Sequence, residues 1–178
     1  MLVKAGLAAA AALVLAPLVL APRAADAQSA APPDAPYVQT QRDITAKLAL
    51  AIAQAAIEEC ARTGAGISVA VVDRAGRVRV FIAADDPAPH NFELARRKAY
   101  TARTFRRPTL EWAQRTKEGS ELAPQRQLAD VIALGGGVPI NAGNDTIGAV
   151  GVSGSTQSGD DACARAGVAR VAAELEVR

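Results

Sequence analysis

The sequence predicts an α+β domain, a central antiparallel sheet flanked by helices. Three observations carry that reading. The β-branched run Ile67–Asp73 is followed at once by a turn and by the alternating run Arg77–Ala83. A second pair, Val138–Ile140 and Thr146–Ser153, brackets another turn-forming stretch. Helical apolar spacing stands before, between and after these pairs. Strands joined by tight turns must run antiparallel, and helices grouped on a face of such a sheet make an α+β layer architecture.

Thr45–Thr63 opens the domain as a helix. Thr45 suits the N-cap, and Leu48, Ile52, Ala55, Ala56 and Ile57 form an apolar stripe. Gly64 and Gly66 end it. Ile67–Asp73 reads as a buried strand, and Asp73-Arg74-Ala75-Gly76 as a tight turn with Gly76 in positive φ. Arg77–Ala83 alternates charged and apolar residues, so it is a half-exposed partner. After the loop Asp85–Pro89, Asn91 or His90 caps a helix to Phe105, and Pro108 blocks its continuation. Thr109–Lys117 is a second helix and Glu118–Asp130 is irregular. Val131–Leu134 is expected as a short strand, followed by three glycines and the strand Val138–Ile140. Asn141–Asn144 turns the chain into Thr146–Ser153, whose Gly148 and Gly151 imply close approach of another backbone or a ligand. Gly154–Gly159 is a loop. Asp160–Leu175 closes the fold, its two aspartates complementing the helix dipole. With the helices on one face, a sheet face or edge stays open, and a homo-oligomer is the usual way to cover it.

The ends of the chain carry different information. Lys4, the apolar run Gly6–Ala21 and Ala25-Asp26-Ala27 form the three parts of a secretory signal peptide over residues 1–27. Residues 28–43 form a flexible leader rich in Ala, Pro and polar residues, and residues 44–178 hold one domain with one core. The expected protein is periplasmic or secreted, with no membrane span after cleavage. Removing residues 1–27 takes away Lys4, Arg23 and Asp26 and leaves 18 basic against 17 acidic residues. A balance so near neutrality argues against nucleic acid as a partner, as does a total of six aromatic residues.

Chemistry-bearing residues are few. Cys60 and Cys163 stand 103 positions apart, so no CxxC pair exists. In an oxidising compartment they form either a disulfide between the first and last helices, stabilising by roughly 2–4 kcal/mol, or two buried thiols. His90 is the sole histidine, which excludes a multi-histidine metal site. It sits in a Pro-bracketed loop at a helix mouth, where free N–H groups favour anions. Arg96, Arg97 and Lys98 follow and are able to pair with carboxylates. His90 is either a capping or surface residue or a ligand, and the arginines either a solvated face or an anion clamp. The run Leu134–Ile140, LGGGVPI, lacks GxGxxG and a Walker lysine. It fits a strand distortion, or close packing against a ligand or a neighbouring subunit. No GxSxG elbow is present.

From Ile44 to about Val171 the chain resembles the GlcG/HbpS-like family of small haem-binding domains. The resemblance rests on LALAIAQAAIEECARTG, on Ser68–Asp73 with Gly76, on ARRKAYTA at Ala95–Ala102, on LGGGVPI, on IGAVGVSG at Ile147–Gly154 and on DDACARAG at Asp160–Gly167, in that order. It implies a profilin-like fold, assembly into symmetric oligomers and haem as the cofactor. Within it, His90 is the natural axial ligand to haem iron, with Arg96, Arg97 and Tyr100 as propionate or supporting contacts. Relatives also accompany corrinoid adenosyltransferases and glycolate-oxidation genes. Two rival functions stand beside haem binding: an enzyme acting on a small carboxylate, with an arginine clamp and the glycine loop as lid, and a structural oligomeric module without ligand.

Overall fold

The computed structural model describes residues 38–176. The expected signal peptide and most of the expected leader lie outside the described residues. The described residues from Thr40 onward form one compact unit, to which every element below belongs. Among the described residues no helix is long and apolar enough to cross a membrane.

Helix α1 (Ala46–Ala61) starts where Thr45 Oγ1 accepts from the Leu48 amide at 3.2 Å. Its apolar spacing buries Ala49, Ile52, Ala53, Ala56 and Cys60. Strands β1 (Ser68–Asp73) and β2 (Val78–Ala83) follow as a hairpin, with Gly76 at φ +78°. Helix α2 (Asn91–Phe105) ends in the left-handed cap of Arg106, two residues before Pro108. Helix α3 (Thr109–Arg115) and a 3-10 turn (Ala123–Gln127) lead to β3 (Gly137–Ala142) and β4 (Asp145–Ser153). Helix α4 (Gln157–Arg170) and the short α5 (Ala172–Leu175) close the chain. The sheet order is β2-β1-β4-β3, antiparallel throughout.

Side-chain alternation divides the sheet into two buried faces. Val69, Val71, Ile140, Val150 and Val152 join Ile52, Ala56 and Ala164 in the main core beneath α1 and α4. Val72 and Ala149 point the other way, to Ala99 and Ala102 of α2. The helices therefore cover both faces, correcting the expectation of a one-sided layer. The open part of the sheet is an edge: β2 is only half-buried. Helix α2 seats so closely because the strands below it carry glycine. A Cβ on Gly151 would run into the Ala95 carbonyl oxygen, and one on Gly137 into that of Lys98. Helices α1 and α4 pack side by side, Gly167 against the Ile52 carbonyl, and Cys60 and Cys163 are joined by a disulfide, Cα–Cα 5.7 Å.

Three local expectations differ. Val131–Leu134 is not a strand, because its amides bond outside any ladder: Val131 to the Leu128 carbonyl and Ile132 to Thr101 Oγ1. Helix α4 begins at Gln157 rather than Asp160, because Thr156 Oγ1 caps it through the Gly159 amide. The second hairpin turn shortens to Gly143-Asn144, with β3 running on through Ala142. At the start of the domain, Arg42 pairs with Asp145 at 2.7 Å, and Asp43 accepts from the Ile44 and Arg74 amides.

Candidate functional site

The N-termini of α2 and α4, the end of β4 and Leu134 enclose a cleft of about 280 Å³. His90, at the N-cap of α2, lies on its wall, exposed and making no side-chain cap hydrogen bond. The loop Pro87–Pro89 delivers it, since proline restrains the backbone ahead of the helix. Asn91 beside it is buried, its Oδ1 taking a 3.3 Å hydrogen bond from Ser153 Oγ. From the opposite side come Ser155, Gln157 and Asp160 of the α4 start. Two helix N-termini thus border the cleft, each the positive end of its dipole.

The floor of the cleft is an ion pair. Lys98 and Asp160 are each 2% exposed. Lys98 Nζ donates to Asp160 Oδ2 at 2.7 Å and to the Val152 carbonyl at 2.9 Å, and Asp160 Oδ1 accepts from the Ser155 amide at 2.9 Å. Burial pushes the Lys98 pKa below the usual lysine value, with the hydrogen bond and charge of Asp160 pulling the other way. The pair ties α2 to α4 and to the end of β4.

The glycine run makes room for it. A Cβ on Gly136, which stands at φ +118°, would come within 2.7 Å of Asp160 Cβ and 3.2 Å of Lys98 Nζ. The run is also pinned by its backbone. Gly135 N donates to Gln157 Oε1 at 2.9 Å, Gly137 N to Thr109 Oγ1 at 2.8 Å, and Gly136 O accepts from Val152 N at 2.9 Å. These bonds tie the run, the lid of the small-carboxylate expectation, to α3, α4 and β4.

Of the residues singled out from the sequence, the structure places His90, Lys98 and Leu134 on this cleft, and Arg96, Arg97 and Tyr100 off it. Arg96 is held by Glu93 at 2.7 Å and Asp130 at 2.6 Å, and these two carboxylates raise its pKa. Arg97 Nη2 donates to the Val131 carbonyl at 2.6 Å, while its buried Nε has no partner. Tyr100 lies over the β1–β2 turn, its ring filling the space a Gly76 Cβ would need. These side chains engage the chain's own loops, so no ready-made arginine clamp faces His90. The sequence pointed to Lys98 as a cation able to pair with carboxylates and to Asp160 as a partner of the helix dipole; what it missed is that the two pair with each other in the interior. The available signals were a lysine inside the alanine face Ala95-Ala99-Ala102 and an aspartate in the first turn of a helix.

The model of the family described as "haem degrading protein HbpS-like" matches residues 44–169. The chain belongs to the HbpS-like family. Among relatives of this family, Protein GlcG of Escherichia coli strain K12 is 33% identical over 116 residues, covering 65% of this chain and 85% of GlcG. Crystalline HbpS of Streptomyces reticuli, a double mutant, is 33% identical with TM-score 0.71, covering 79% of this chain and 97% of HbpS. A structure titled as a PduOC:heme complex is 25% identical with TM-score 0.67, covering 72% of this chain and 94% of that one. The HbpS-like fold is therefore the frame on which the cleft is built.

Proposed function

We propose that this HbpS-like protein is an exported, periplasmic homo-oligomer that binds haem through His90. The observation carrying this reading is the exposed imidazole at the α2 mouth, held by a proline-bracketed loop and uncommitted to capping. An imidazole of this kind is a common axial ligand of haem iron. The family description and the haem-bound relative support haem as the ligand class. Once bound, haem would bring the redox and oxygen chemistry of its iron; the protein supplies the ligand, the surroundings and access.

The fit is partial in one respect. Ligand pockets usually hold about 300–1,000 Å³, and 280 Å³ is small for a porphyrin. A haem ligated by His90 needs a second covering surface, and a neighbouring copy of the chain provides it in this reading. Arg96 and Arg97 stand roughly 10 Å further along α2. They reach propionates by exchanging Glu93, Asp130 or the Val131 carbonyl for them.

Hemin titration followed at the Soret band tests the proposal. Saturation at one haem per subunit or per subunit pair is expected, with affinity at least about tenfold weaker in His90→Ala, equivalent to about 1.4 kcal/mol. Equal affinity in both proteins removes His90 as ligand. The cleft's size and its two helix N-termini favour, as a second reading, a small carboxylate bound without haem. Thermal stabilisation by organic acids that is lost in His90→Ala and kept in Arg103→Ala, with no saturable hemin shift, would establish that reading instead.

A further inference from the structure

At the other end of α2, a second cleft of about 400 Å³ is lined by Gln41, Asp43, Arg74, Ala75 and Arg103. Arg106, the left-handed cap of α2, stands close enough to Arg103 for their charges to interact, as does Arg74. The local charges are unevenly used. Arg42 is paired with Asp145, and Arg79 with Asp43 and Asp73. Asp43 Oδ1 accepts from the Ile44 and Arg74 amides, and Asp73 Oδ1 from the Ala75 and Arg77 amides. The carboxylates are thereby taken up, and Arg74, Arg103 and Arg106 have no carboxylate ion pair among the described residues. Arg103 Nε is buried with no hydrogen-bond partner.

Such an arrangement is costly. A buried donor without an acceptor loses the hydrogen bond it had in water, and like charges in a half-buried setting repel. Burial, then the charges of Arg74 and Arg106, hold the Arg103 pKa below its usual value, outweighing Asp43 and Asp73. Neutralising the end of the α2 dipole needs only exposed cations, so it does not account for a buried guanidinium nitrogen. A polyvalent oxyanion answers both costs, because the planar guanidinium fork matches its oxygens and the charge cancels the repulsion.

We propose that Arg74, Arg103 and Arg106 form a binding site for a small polyvalent oxyanion, phosphate or a di- or tricarboxylate, separate from the His90 cleft. Arg103 lies 13 residues beyond His90, about 20 Å along the helix, so the site does not depend on haem binding.

The test is thermal melting of the whole protein with phosphate or citrate, against sodium chloride at matched ionic strength. At about ten times its dissociation constant the anion is expected to raise Tm saturably by about 3–6 °C. Arg103→Ala is expected to melt no lower than the parent without anion and to lose the response. Arg74→Gln, on the turn, serves as the second variant should Arg103→Ala fail to fold. Arg165→Gln, whose arginine pairs with Asp161 elsewhere, keeps the response. The larger effect, from phosphate or from citrate, identifies the class of oxyanion. No saturable rise beyond chloride, or an equal rise in Arg103→Ala or Arg74→Gln, overturns the proposal.

Discussion

Lys98 stands on a helix face otherwise made of Ala95, Ala99 and Ala102, and its ammonium ends among groups with almost no access to water. Removing one partner of such a pair strands the other charge and costs about 3–5 kcal/mol. Lys98→Met is therefore expected to lower unfolding stability by that amount in urea titrations. The double variant Lys98→Met with Asp160→Asn should recover part of it, because no buried charge remains. A fully additive double variant would show that the two side chains do not act as a pair. At this scale the sequence exposed His90, which is singular and follows a proline, but hid the burial of Lys98. A lysine among arginines looks like one more surface cation, and only the packing of the fold around it, which leaves it 2% exposed and bonded to Asp160 and the Val152 carbonyl, shows that its ammonium is enclosed.

Elements were legible where their determinants are local. The β1–β2 hairpin follows from Asp73–Gly76, and the start of α1 from Thr45. The misread stretch Val131–Leu134 has strand-like residues, yet a strand needs a ladder partner, and these amides bond to a nearby carbonyl and a threonine hydroxyl. That information is tertiary and leaves no periodic trace. The two-sided layer was partly written in β4, where Ala149 and Gly151 share one face while Val150 and Val152 share the other. A strand face made of small residues marks a helix lying close. Gly151→Ala should accordingly act on α2 rather than on the sheet. Its Cβ would strike the Ala95 carbonyl and come within 2.5 Å of the Ala99 amide. A loss of about 1–3 kcal/mol or more is expected from such overpacking, read as a lowered urea midpoint. The Gly64→Ala control meets no atom within 4 Å and bears only the strain of its φ of +72°.

Over the whole molecule, charge pairing sets the response to acid. Burial alone would raise the Asp43 pKa, but hydrogen bonds from the Arg74 and Ile44 amides and from Arg79 lower it. Hydrogen bonds from Arg96 lower Glu93 and Asp130, and one from Arg42 lowers Asp145. A carboxylate whose folded pKa is depressed stabilises the fold fully above its unfolded value, here 3.8 for aspartate and 4.5 for glutamate. That contribution is lost as pH falls through the lower folded values. Urea midpoints should stay level from neutrality to about pH 5 and then decline. Arg96→Gln should make the decline shallower by releasing Glu93 and Asp130, and an unchanged slope would show those pairs to be irrelevant to acid stability. The seating of α2 on Gly137 and Gly151 has a further consequence. A helix whose backbone touches the backbone of the strands beneath it has no slack to slide or tilt. It works as a strut of fixed length, about 22 Å over its 15 residues. The His90 mouth and the Arg103 cleft are thus set at a constant spacing, like two marks on a ruler, and a ligand at either end meets geometry that the other end cannot retune.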